Sequence, residues 1–62
     1  MTQEQLIASI EQQLENLMSL DGDLEYEYES VLYRDDEPIV ELFTEELLRE
    51  IMEHIDRIEG ML

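Results

Sequence analysis

Apolar residues recur at steps of three and four over the first third of the chain, where Leu6, Ile7, Ile10, Leu14, Leu17 and Met18 make one stripe. That is the period of an amphipathic helix. Gln3, Glu4, Glu11, Gln12 and Glu15 fall mostly on the opposite side. Thr2 followed by Gln5 has capping-box spacing, in which each side chain accepts from the other residue's backbone N–H. The pattern predicts a helix over residues 1–20, ended at Asp21-Gly22-Asp23, where Gly22 offers the conformational freedom of a helix exit.

From Leu24 the period shortens to two: Leu24, Tyr26 and Tyr28 alternate with Glu25, Glu27 and Glu29. With β-favouring aromatics in the run, this predicts a strand over residues 24–33. Arg34-Asp35-Asp36-Glu37 reads as a polar turn, because Asp tolerates the positive φ of a tight hairpin. Residues 38–43 make the return strand, with Pro38 at its first position, where a missing N–H does least harm. A two-residue turn then sets Leu32 opposite Ile39, Val31 opposite Val40 and Tyr28 opposite Phe43. It also pairs Ser30 with Glu41, a polar pair that suggests a bulge or a wet edge.

Thr44 caps a second helix, with Glu45 and Glu46 in the first turn, where the dipole favours negative charge. Leu47, Leu48, Ile51, Ile55, Ile58 and Leu62 form its stripe, and Gly60 marks where it frays or caps. Glu45, Arg49, Glu53 and Arg57 form an exposed i,i+4 ladder, each pair worth about 0.2–0.5 kcal/mol. The resulting fold class is α+β in the order α-β-β-α, two amphipathic helices packed on a β-hairpin, as one domain over residues 1–62. An all-α alternative competes with it. Val40, Phe43, Leu47, Ile51, Ile55 and Ile58 also recur at helical steps, so residues 36–59 can be read as one long helix of a helical hairpin.

Packed as a sheet, the strands turn Tyr26 and Tyr28 inward with Leu24. Val31, Tyr33, Val40 and Leu42 fall on the other face. A second apolar set needs cover from a homodimer contact, a partner contact or a twist of the sheet, and the first is favoured. Tyr at such a surface also suits an interface anchor, having an apolar body and a polar tip.

Length limits what chemistry can be built. A chain of 62 residues buries only about 60% of the surface its unfolded form exposes, so a deep substrate cleft is hard to enclose. There is no cysteine, hence no disulfide framework and no thiolate metal site. Apolar residues are 44% of the chain, an ordinary share for a folded domain.

Asp21-Gly22-Asp23-Leu24-Glu25 begins like a calcium loop, but Tyr26 stands at the sixth position and Leu32 at the twelfth, where Gly and a bidentate Glu belong. A helix-terminating turn is the better reading. His54, the only histidine, follows Glu50 by one helical turn, a pair suited to a metal or to acid–base work. Two ligands fall short of a zinc site, and a half-exposed His beside carboxylates is the commoner arrangement. Ser19 and Ser30 lack partners at triad spacing, and Gly22 and Gly60 make no phosphate loop. No catalytic residue, no cofactor and no metal is expected, and the chain reads as a non-enzyme.

Charge changes the picture most. Eighteen Asp and Glu stand against three cationic residues, all Arg, for a formal charge of −15. Residues 21–37 hold −7 of it, nearly half the charge on about a quarter of the chain. Nucleic acids and anionic lipids are bound by cationic side chains that neutralise phosphates, so direct binding to either is disfavoured and the expected partner is basic. No run approaches the roughly 18 apolar residues of a membrane span, and residues 1–20 lack a signal peptide's basic start and apolar centre. A cytoplasmic protein is expected.

On a strand, Glu25, Glu27 and Glu29 project from one face about 6.6–6.8 Å apart. Duplex DNA carries one charge per about 1.7 Å, so fifteen charges match roughly 25 Å of helix. A 62-residue domain is roughly 27 Å across, and the two charge densities are alike. Solubility alone asks for a net charge of only about 2–8. The principal phosphate substitutes are therefore Glu25, Glu27, Glu29, Asp35, Asp36 and Glu37, extended by Glu46, Glu50 and Glu53 on the last helix.

In size, in the absence of Lys and Cys, and in the clusters Glu25-Tyr26-Glu27-Tyr28-Glu29 and Asp35-Asp36-Glu37, the chain resembles the small phage-encoded DNA-mimic inhibitors, some anti-CRISPR proteins among them. The likeness spans the chain and carries no motif. It implies a non-enzymatic inhibitor occupying the DNA or RNA channel of a CRISPR effector, nuclease, polymerase or repressor. The alternative is an antitoxin-like or adaptor module that binds through Val31, Tyr33, Val40 and Leu42 while its acidity keeps it dissolved.

Overall fold

Thr2 begins the first helix as the spacing requires: its hydroxyl accepts from Gln5 N–H, and the Gln5 side chain accepts from Thr2 N–H. In the computed structural model, which describes residues 1–62, this helix is α1, Gln3–Leu20. Its last hydrogen bond runs from Asp21 N–H to the Leu17 carbonyl. A second helix, α2, Gly22–Leu32, follows at once. Next come two short strands, β1, Tyr33–Arg34, and β2, Glu37–Pro38, then a 3₁₀ turn over Val40–Leu42, and finally α3, Glu45–Met61. The protein is mostly helical, with three helices and one small antiparallel hairpin.

The main departure from the sequence reading lies in residues 24–32, expected as a strand and found as α2. Two patterns coexist there. Leu24, Tyr28 and Leu32 are also spaced i, i+4, i+8, so on a helix they share one side, and Leu32 is fully buried while Leu24 and Tyr28 pack against the core. Tyr26, two positions from each of its neighbours, is turned about 160–200° away from them by the 3.6-residue period and is 73% exposed. The expectation that Tyr26 goes inward is therefore wrong, and that for Tyr28 and Leu24 is right. Asp21 favours the helix further. Its carboxylate accepts from Asp23 N–H at 3.1 Å and Leu24 N–H at 3.4 Å, and Asp23 and Glu25 occupy the first turn. The Asp21-Gly22-Asp23 run is thus a shared helix junction rather than a metal loop. Gly22 has no positive φ there.

The turn is where the sequence expected it. Asp35 and Asp36 both take positive φ, 53° and 64°, the primed turn that suits a two-residue hairpin. Register follows: Tyr33 faces Pro38 and Arg34 faces Glu37. Ile39 N–H donates to the Leu32 carbonyl at 2.7 Å, so the expected alignment of Leu32 with Ile39 persists one step beyond the strands. It stops there. Residues 38–43 do not form a return strand, and Val31–Val40 and Tyr28–Phe43 are not cross-strand pairs, because Val31 and Tyr28 belong to α2 and Val40 to the 3₁₀ turn. The single helix over 36–59 is likewise absent. Thr44 interrupts it with an extended backbone, its hydroxyl accepting from Leu47 N–H at 3.1 Å.

The core is small. α1 contributes Ile10, Leu14 and Leu17, α2 contributes Leu32, and α3 contributes Ile51, Ile55 and Ile58, with Phe43 from the segment between. α1 packs against both other helices. With extents of 32 × 26 × 14 Å and 8 of 62 residues buried, nearly every charged group reaches the surface. No polar side chain is buried.

Candidate functional site

Helical geometry decides how the acidic residues are grouped. On α2, Glu25 and Glu29 are one turn apart and lie about 40° from each other around the axis, while Glu27 points about 160–200° away. The strand expectation put all three on one face, and α2 divides them between two.

Glu25 and Glu29 line a hollow between α1 and α2 with Glu11, Glu15, Leu14 and Tyr33. An adjoining hollow shares Glu29 and Tyr33 and adds Tyr26, Ser30, Asp35 and Asp36. This first acidic face therefore gathers four of the expected carboxylates, from α2 and the turn. It also includes Glu11 and Glu15, which the sequence reading assigned to a plain solvated side. Around α1, Glu11 lies about 90° and Glu15 about 130° from the centre of the Ile10–Leu14–Leu17 stripe, so the α1 period gives little sign of them and it is α2, as a helix, that brings its carboxylates to theirs.

Tyr33 holds the centre of this face. Its hydroxyl donates to Glu11 Oε1 at 2.8 Å, and its ring meets Phe43 edge-on, centroids 5.9 Å apart. Burial, the hydrogen bond to Glu11 and the charges of Glu11 and Glu29 push the phenol up to about 12. Desolvation and then the charge of Glu29 raise the Glu25 carboxyl. Burial first, and neighbouring like charge second, disfavour ionisation at both groups.

Glu27 belongs to a second face, between α2 and α3. It lines a hollow with Glu50, Tyr28, Val31, Leu47 and His54, among others. A neighbouring hollow shares Val31, Leu47 and Glu50 and adds Glu41, Leu42 and Glu46. Glu37 and Glu53 are exposed and line none of these hollows.

The four expected apolar contact residues do not share a surface. Val31, 57% exposed, and Leu42, 38% exposed, meet on the second face. Tyr33 is turned toward α1, and Val40 is half-buried. The reason is again α2, which places Val31 on a helix and leaves no sheet face to unite them.

His54 meets the Tyr28 hydroxyl through Nδ1 at 3.2 Å, a hydrogen bond whose direction follows the imidazole tautomer, with rings edge-on at 5.6 Å. Burial, then the charges of Glu50 and Glu27, raise the Tyr28 phenol. A strand at residue 28 offers no such contact; it follows from α2 as a helix. No group of three or more His, Asp or Glu side chains is placed to hold a metal ion, and no helix is long and apolar enough to cross a membrane.

Comparison with family models, with curated proteins and with solved structures finds no match.

Proposed function

We propose that this protein is a non-enzymatic nucleic-acid mimic, a cytoplasmic inhibitor that occupies the basic DNA- or RNA-binding surface of a partner such as a CRISPR effector, a nuclease, a polymerase or a repressor. One observation carries the reading: a charge of −15 on a body 32 Å long. That is about 2.1 Å of length per net charge, close to the roughly 1.7 Å of duplex DNA. So much like charge on so small a core costs stability through self-repulsion. A basic partner relieves that cost, and the field speeds encounter with it.

The first acidic face is the phosphate-like surface. Glu25, Glu29, Asp35 and Asp36 lie along it beside Glu11 and Glu15, held by α1, α2 and the hairpin turn instead of by one strand. The adaptor reading draws support from a different feature, the exposed Val31 and Leu42.

Competition separates the two. Proteins retained from a cell lysate on the immobilised domain are eluted with duplex DNA. The mimic reading predicts that the duplex displaces them and that they are nucleic-acid-binding proteins. Proteins that stay bound in excess duplex support the adaptor.

A further inference from the structure

We infer that the groove between α2 and α3, centred on Val31, Leu42 and Leu47, seats an apolar side chain presented by a basic segment of the partner. The inference rests on the mimic reading for the partner's charge and adds a contact that no nucleic acid makes. Two adjoining hollows of about 220 and 280 Å³ share Val31, Leu47 and Glu50, so the apolar floor is continuous from Tyr28 to Leu42. Val31 and Leu42 leave much of their surface in water, although neither a phosphate-like surface nor the domain's own core needs them there. Water exclusion around such anchors is what concentrates binding energy at an interface.

The rim selects the occupant. Glu27, Glu41, Glu46 and Glu50 border the two hollows. Arg49, the nearest cation in sequence, lines a different hollow with Glu45, Leu48 and Met52. A second copy docking here about a two-fold axis brings the same four carboxylates against themselves, and like charges facing one another across an interface select against that pairing. A Leu, Ile or Met side chain with Lys or Arg on either side satisfies floor and rim together, in the helix-in-groove or extended manner of peptide recognition.

The test titrates the full chain with three synthetic helical peptides. One carries a leucine stripe flanked by lysines, the second has the same composition with the leucines dispersed, and the third replaces the lysines with glutamates. At physiological salt the striped lysine peptide is expected to bind at least about tenfold tighter than the dispersed one. Its amide shift changes are expected to centre on Val31, Leu42 and Leu47. The double variant Val31→Gln, Leu42→Ser is expected to erase that difference while leaving the circular dichroism spectrum unchanged, both side chains being exposed. Equal binding of the two lysine peptides overturns the anchor and leaves the mimic reading standing. No binding of either overturns the inference, while the mimic reading is decided separately by the duplex competition. Equal binding of the glutamate peptide shows an apolar groove without a basic complement and overturns the inference. So does a dimer, seen by sedimentation, that the double variant dissociates, since that assigns the groove to a second copy.

Discussion

The Tyr33 hydroxyl donates to Glu11 Oε1 at 2.8 Å, joining the first residue of the hairpin to a helix twenty-two positions earlier in the chain. Without it, two strands of two residues each have little to hold them against α1. Tyr33→Phe keeps the ring against Phe43 and removes only the bond, so the expected loss is about 0.5–1.5 kcal/mol, read from urea denaturation at neutral pH.

Burial of the Tyr33 ring first, and the same bond second, set a response to alkali. The fold favours the neutral phenol, whose pKa rises from 10.0 to about 12. Its stabilisation is therefore complete below pH 10 and disappears as the pH climbs through about 12. In a titration followed by tyrosinate absorbance, Tyr33 is expected to ionise near pH 12, above the ordinary phenol value of 10.0. Stability should fall between those limits, and less steeply in Tyr33→Phe. Identical profiles for the two proteins contradict this account of Tyr33.

A carboxylate gives the acid counterpart. The fold raises the Glu25 carboxyl above 4.5 through desolvation and then through the Glu29 charge. A raised folded value means that Glu25 stabilises the protonated fold, so stability increases as the pH falls from neutral toward 4.5 and is lost on the way back up. Glu29→Gln removes the repulsion one turn away. It is expected to raise stability at neutral pH by about 0.2–0.5 kcal/mol and to shrink the gain on mild acidification, both measurable by thermal melts across that range.

The helical assignment of α2 is tested by two residues that a strand treats differently. Leu32→Ala empties a fully buried site and is expected to cost about 2–5 kcal/mol. For a domain with eight buried residues, that is enough to unfold much of the population. Tyr26→Ala, at an exposed site, is expected to stay within about 0.5 kcal/mol of the parent. A large loss at Tyr26 restores the strand.

What the sequence made legible was whatever a single local pattern specifies. The Thr2–Gln5 box and the Ile10–Leu14–Leu17 and Ile51–Ile55–Ile58 stripes each have one reading, while the Thr44 cap and the Asp35–Asp36 turn compete with a single helix over 36–59, and each of the five is present. Residues 24–32 carry two. Their alternation satisfies a strand, and Leu24, Tyr28 and Leu32 satisfy a helix. Periodicity cannot choose between them. One deciding feature is local, the Asp21 cap, which the adjoining Gly22 disguises as a helix exit; the other, burial of Leu32 in the core, is not local. The acidic site inherits that ambiguity: its composition could be read from the chain, but the separation of Glu27 from Glu25 and Glu29, and the arrival of Glu11 and Glu15, follow only from α2 as a helix.

The two acidic faces should then behave differently. Exchanging Glu25, Glu29, Asp35 and Asp36 for their amides is expected to weaken binding to a DNA-displaceable partner at least about tenfold and to flatten its salt dependence. The exchange of Glu27, Glu46 and Glu50 is expected to act chiefly on the lysine-peptide contact at the groove. Equal effects of the two exchanges contradict a division of labour between the faces.

The central claim, that this excess of carboxylates stands in for a polyanion, is tested most directly by the affinity for a purified, DNA-displaceable partner measured across salt. The account predicts a linear fall of log affinity with log salt, at least about tenfold between roughly 50 and 200 mM, with duplex DNA competing throughout. An affinity that changes less than about twofold over that range, where screening removes most exposed charge interactions, contradicts it.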